Sequence, residues 1–171
     1  MALITATHLQ KSYRAGDVEV QAVRDADFSI EPASFVAFVG PSGCGKSTVL
    51  NMIGCLDHPS SGVLTVLGTD VATLDRRTGA AFRGNHIGFI FQDFNLVPVL
   101  TAYENVEVPL IIVQNWPAAE RARRVQDLLE AVGMGEQAHK RPDQLSGGQK
   151  QRVAVARALV AHPKLVLADE P

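Results

Sequence analysis

Nine consecutive residues, Gly40-Pro41-Ser42-Gly43-Cys44-Gly45-Lys46-Ser47-Thr48, have the types and spacing that gripping a polyphosphate requires. Three glycines permit a tight turn with backbone N–H groups pointing inward, and the helix that follows adds its positive end to the same anion. Lys46 is placed to reach the β- and γ-phosphates, and the Ser47 hydroxyl to ligate Mg²⁺. The alternative, a glycine-rich turn that only joins a strand to a helix, is disfavoured by the full Gly-x4-Gly-Lys-Ser spacing.

Further groups with chemical potential lie downstream. Leu145-Ser146-Gly147-Gly148-Gln149 opens a helical run, and Ser146 and Gln149 have the spacing of a capping box. A capped helix alone does not account for Gly147 and Gly148, which lower helix propensity yet leave amides bare at the positive helix end, so a second anion site is suggested. Near the carboxyl end four apolar residues, 165–168, run into Asp169 and Glu170. Asp169 would hold Mg²⁺ through water, and Glu170 would orient or deprotonate an attacking water. Two solvated acids capping an apolar strand are the alternative, and the phosphate loop in the same chain favours the catalytic reading. Gln92 directly follows an apolar run, at a strand's carboxyl end where open α/β sheets bind ligands, although on that observation alone a solvated loop position is the better explanation. Tyr13, taken alone, reads as an edge aromatic that stacks on a base only if its loop lies over the nucleotide.

The elements that must position these residues follow from periodicity. Residues 35–39 are nearly all apolar, as in a strand covered on both faces of a parallel sheet, and Val49, Met52, Ile53 and Leu56 then recur at helical spacing. Residues 87–91 and 165–168 read as two more buried strands. Ahead of them, residues 2–9 read as a strand, 11–16 as a turn, and 20–30 as a second strand pair. Residues 57–62 form a turn, 63–67 a short strand, 73–82 a helix and 83–85 a loop. Residues 96–113 are unusually apolar, with two prolines and a short helix near 103–106. Pro117 opens an amphipathic helix ending near Gly133, and a long helix carrying Val153, Ala156, Leu159 and Val160 stops before Pro163. Residues 96–133 suggest a satellite subdomain whose apolar surface meets a partner.

Composition narrows the classes. The chain has 171 residues, 46% of them apolar and 20% charged, which is enough for one soluble globular domain. No apolar run reaches 18 residues and the first 30 lack a signal-peptide stretch, so a cytosolic location is expected. Sixteen Lys and Arg against eighteen Asp and Glu give a net charge of −2, without the basic footprint of a nucleic-acid binder. Cys44 and Cys55 lack metal-ligand spacing and read as free thiols, and His58, His86, His139 and His162 offer no metal pattern either.

Taken in this order, the motifs resemble those of the ATP-binding subunit of ATP-binding cassette (ABC) transporters, over essentially the whole chain. The resemblance matches Gly40, Pro41, Ser42, Gly43, Cys44, Gly45, Lys46, Ser47 and Thr48 to the family's Walker A loop. Gln92 matches its Q-loop glutamine. Ser146, Gly147, Gly148 and Gln149 match its signature, and Asp169 and Glu170 its Walker B acids. Tyr13 falls where the family places an adenine-stacking aromatic. The implied fold is α/β, a P-loop NTPase of the ABC cassette type with an antiparallel β subdomain and a helical subdomain at roughly 96–160, truncated after the Walker B strand. The implied ligands are ATP and Mg²⁺, with Glu170 and Gln92 catalytic and Ser47, Gln92 and Asp169 on the metal. A finer resemblance, to the lipoprotein-release and macrolide-export branch with a cell-division relative close by, rests on residues 42–62, 87–98 and 101–106. Pro32-Ala33-Ser34 departs locally from the Gly-Glu usual there.

In such proteins two copies face head to tail, so that the phosphate loop of one and the signature helix of the other clamp one ATP. The resemblance therefore implies a second copy of the chain and an integral-membrane permease as partners. It also implies a peripheral position on the inner face of the cell membrane, and no nucleic acid. A regulatory ATPase signalling through a cell-division membrane partner and a soluble non-transport ABC ATPase are the competing readings. The family continues past Glu170 with a D-loop, a further strand and a histidine switch. The chain is thus expected to be an amino-terminal fragment that by itself neither folds stably nor turns over ATP.

Overall fold

The chain divides between Ala80 and Ala81 into two units, and a computed structural model describes residues 2–16 and 18–170. In the first unit β1 (Ile4–Ala15) and β2 (Val18–Ile30) form a long antiparallel ribbon. The phosphate loop leads into α1 (Lys46–Ile53). β3 (Ser61–Val66) then pairs with the other edge of β1, and β4 (Thr69–Asp70) with β3, giving the order β2-β1-β3-β4. Ile4, Leu9, Leu64 and Val66 are buried in this sheet, and α1 turns Val49, Met52 and Ile53 inward.

Three expectations for this unit are corrected. The turn placed at 11–16 is strand as far as Ala15, and residues 20–30 belong to one strand, not a pair. The reason is a series of register shifts between Ala6 and Leu9, Leu9 and Gln10, and Lys11 and Ser12. Each bulge resets the inside–outside alternation, so a continuous strand reads as interrupted. The buried strand expected at 35–39 does not form. These residues are irregular, and Phe35 and Val39 are 99% and 92% exposed. An apolar segment becomes a buried strand only when neighbouring strands take its N–H and C=O groups and cover its faces. The described ladders give 35–39 no such neighbour, and its recorded ring contact is Phe38 edge-on to Phe28, with centroids 5.6 Å apart.

Around the division runs α2 (Arg76–His86), which absorbs the loop expected at 83–85. Asn85 donates its side-chain amide to the Ala81 carbonyl, and Arg83 and His86 lie in the last turn, where basic groups suit the negative helix end. Gly84 is helical for a packing reason: a Cβ there would lie 2.4 Å from a Val113 methyl.

In the second unit β5 (Ile87–Ile90) pairs in parallel with β6 (Leu165–Ala168), in register from Ile87 with Leu165 to Ile90 with Ala168. Between them in sequence come α3 (Ala102–Ile112), α4 (Ala118–Ala131) and α5 (Gly147–Leu159). Their shared core includes Val106, Leu110, Val125, Leu129, Met134 and Val153, all fully buried. α3 is longer than the short helix expected at 103–106. A complete capping box between Thr101 and Glu104 starts it, and Pro109 sits inside it. No helix among the described residues is long and apolar enough to cross a membrane.

Candidate functional site

The phosphate loop is built for glycine. Gly43 and Gly45 have φ of 79° and 94°, and a Cβ on Gly45 would sit 2.4 Å from the Ala22 carbonyl oxygen. Gly45 caps α1 without any side-chain bond. Lys46 folds back along its own loop, its Nζ donating to the Gly40 and Pro41 carbonyls at 3.0 Å each. The Cys44 thiol is exposed, and the buried Cys55 thiol donates to the Ile53 carbonyl at 3.8 Å. A cleft of about 450 Å³ beside the loop is lined by Ala22, Val23, Arg24, Gly43, Cys44 and Val49.

The electrostatics of the helix starts differ. α2 has no acidic residue in its first turn, but the Asp75 carboxylate just before it accepts from Thr78 N–H at 2.7 Å. α3 carries Glu104 and α4 carries Glu120 in the first turn, where a carboxylate offsets the positive helix end. α1 and α5 carry no acidic residue there, which leaves the positive end for an external anion. α5 forms the predicted capping box: Ser146 Oγ accepts from Gln149 N–H at 3.3 Å, and Gln149 Oε1 accepts from Ser146 N–H at 2.9 Å. A Cβ on Gly147 or Gly148 would meet nothing within 4 Å, and neither has a positive φ. The chain's own packing therefore does not demand glycine at these positions.

At the carboxyl ends of the paired strands β5 and β6, Asp169 N–H donates to the Ile90 carbonyl at 3.0 Å. One residue further, Gln92 Nε2 donates to Glu170 Oε2 at 2.8 Å. Two residues 78 apart in sequence thus meet because the parallel register aligns their strands. Glu170 takes a left-handed φ of 47°, uncommon for a non-glycine residue.

Donor chemistry decides whether Mg²⁺ suits the predicted set. Ser47, Gln92 and Asp169 offer hydroxyl, amide and carboxylate oxygens, the hard donors this ion takes. With the Gln92 nitrogen committed to Glu170, its carbonyl oxygen is the end left for a cation. The set fits.

Tyr13 is 41% exposed, and its hydroxyl donates to Asp57 Oδ2 at 2.8 Å. Lys11 Nζ donates to Asp57 Oδ1 at 2.5 Å and lies 4.9 Å from the centre of the Tyr13 ring. Burial alone would raise the Asp57 carboxyl, but hydrogen bonds from Lys11, Tyr13 and the His58 N–H, with the Lys11 charge, hold it below its ordinary value. Burial first, then the bond to Asp57, pushes the Tyr13 phenol up.

Four features were not singled out in the sequence. Asp57 and Lys11 read there as turn residues, and only the bulged pairing of β1 brings them together. Arg157, the third, donates from its two terminal nitrogens to the Asn95 carbonyl at 2.5 Å and the Phe94 carbonyl at 2.6 Å. It thereby ties α5 to the loop after Gln92, where Phe94 and Asn95 both take left-handed φ. The available signal was an arginine between the buried Ala156 and Ala158. His8, Asp25 and Asp27 form an exposed cluster with ligand atoms within 4.8 Å of one another, and the bond to Asp25 raises His8 above its ordinary value.

Comparison with known proteins adds a family. The ABC transporter family profile matches residues 23–171. An uncharacterized ABC transporter ATP-binding protein of Thermotoga maritima is 50% identical over 161 residues, covering 94% of this chain and 68% of that protein. The macrolide export ATP-binding/permease protein MacB of Azoarcus is 48% identical over 169 residues, covering 99% of this chain but 26% of that longer protein. Among solved structures, the cassette MJ0796, a dimer in a post-hydrolysis state bound to ADP and Pi, superposes with a TM-score of 0.90 at 41% identity, covering 97% of this chain and 73% of that one.

Proposed function

The chain belongs to the ABC transporter family as an ATPase domain of it, and on that premise we propose that it powers a membrane permease of the lipoprotein-release or macrolide-export type. The relatives that join the same domain to a permease in one protein support this reading, as does the exposed apolar surface of Val97, Val99, Ile111 and Ile112, a surface suited to a permease segment. Residues 96–160 act in this account as the helical subdomain.

The observation that carries the proposal is the pair of helix starts, α1 and α5, left without acidic residues and with glycines at the amides. The loop of Gly40, Pro41, Ser42, Gly43, Cys44 and Gly45 wraps the β- and γ-phosphates of ATP, with Lys46 exchanging two carbonyls for phosphate oxygens. Ser47 and Asp169 hold Mg²⁺ with Gln92, Thr48 closes the loop, and Tyr13 stacks on the base. Mg²⁺, when bound, neutralises charge on the β- and γ-oxygens. Glu170, oriented by Gln92, takes a proton from the attacking water. Ser146, Gly147, Gly148 and Gln149 of a second copy, placed head to tail, close the site over the γ-phosphate. ATP binding and release then close and open the pair at the inner face of the cell membrane.

In the full-length protein, Glu170→Gln is expected to keep ATP binding and to lower steady-state hydrolysis by about 10²- to 10⁴-fold, the range of a lost general base. Hydrolysis at the parent rate in that variant would remove Glu170 from its role.

A further inference from the structure

The stacking assigned to Tyr13 requires a ring held still, and the first unit contains a clamp that does this. The turn after α1 docks along the bulged stretch of β1: Ser60 N–H donates to the Gln10 carbonyl at 2.8 Å, Ser12 N–H to Ser60 Oγ at 3.0 Å, and Lys11 Nζ to the His58 carbonyl at 2.8 Å. At its centre Asp57 accepts from Lys11 with one oxygen and from the Tyr13 phenol with the other, at 2.5 and 2.8 Å. Lys11 covers the ring at 4.9 Å from its centre, the geometry of a cation–π contact.

We infer that Asp57 and Lys11 are positioning residues for the nucleotide base, fixing the Tyr13 ring relative to the phosphate loop so that base and phosphates are read at a set distance. The inference rests on the nucleotide-binding reading above and names residues to which that reading gave no part. Asp57 is well suited to this work. Its backbone belongs to the turn that ends α1's excursion, so the helix starting at the phosphate loop and the ring over the base are joined through one carboxylate. With the ring already in place, binding does not have to freeze it, and affinity is gained by removing that cost.

The test compares two ligands that differ in the base. In the full-length protein, Asp57→Ala and Lys11→Met are expected to weaken Mg-ATP binding by about 3- to 10-fold, the cost of immobilising a side chain or two. Tripolyphosphate, which has no base, is expected to bind each variant as it binds the parent. Asp57→Asn, whose side-chain carbonyl still accepts the phenol proton, restores part of the loss. In a Tyr13→Phe background Asp57→Ala is expected to cost less than in the parent, because its partner has gone. Equal weakening for ATP and tripolyphosphate would show that Asp57 merely supports the fold of the loop, and would overturn the inference. Should Asp57→Ala not fold, the same comparison in Asp57→Asn and Lys11→Met decides the matter. Tyr13→Ala separates the levels: if it leaves ATP binding unchanged, the stacking reading itself fails, whereas if it weakens ATP and the Asp57 and Lys11 variants do not, only the positioning role fails.

Discussion

Lys46 and Asp57 show how single residues prepare a site for an anion. The Lys46 ammonium rests on two carbonyls at 3.0 Å, so an arriving phosphate replaces neutral acceptors with anionic ones and adds charge–charge attraction to bonds already assisted by the donor's charge. Asp57 is the opposite case, a carboxylate already paired inside the protein. Its native pKa lies below the ordinary 3.8, so the unfolded chain binds the proton more tightly than the native one. Its contribution to stability is therefore complete above about 3.8 and is lost as pH falls through the lowered native value. The stability difference between the parent and Asp57→Asn, measured by urea unfolding, is expected to shrink steadily as pH drops below that point. A difference that stays constant down to strong acid would contradict the pairing.

Among the elements, α3 and α5 owe their positions to buried polar groups as much as to apolar faces. Asn105 of α3 is 1% exposed. Its Oδ1 accepts from Val97 N–H at 2.7 Å, and its Nδ2 donates to the carbonyls of Val97, Leu100 and Thr101 at 3.2, 3.1 and 2.9 Å. Asn105→Leu strands these backbone groups and is expected to cost about 2–4 kcal/mol in urea unfolding; a loss under about 1 kcal/mol would mean that water replaces the side chain without difficulty. The sequence disclosed such features unevenly. Local chemistry was legible: the loop glycines before α1, the Ser146–Gln149 capping box and the apolar faces of α4 and α5 all depend on neighbours a few residues away. Pairing over distance was not. Bulges hid the length of β1 and β2, the absence of paired neighbours left 35–39 outside any sheet, and the meeting of Tyr13 with Asp57, or of Arg157 with the loop after Gln92, has no local signature. The bond between Gln92 and Glu170 lies between these cases, since both residues were picked out but only strand register could join them.

At the scale of the whole molecule, the account needs two chains. In the proposed pair one copy would supply a phosphate loop and a catalytic acid and the other the signature amides, which would make each complete site composite. Gly148 is a fair place to test this, because a Cβ there meets nothing within 4 Å and a side chain disturbs no packing within the chain. The most direct measurement is ATP hydrolysis by Lys46→Ala and Gly148→Glu full-length proteins, each alone and co-expressed. The account predicts that each variant alone is inactive and that the mixture recovers hydrolysis, because a mixed pair contains one site built from an intact phosphate loop and an intact signature. A mixture as inactive as its components, or Gly148→Glu hydrolysing ATP alone at the parent rate, would contradict it.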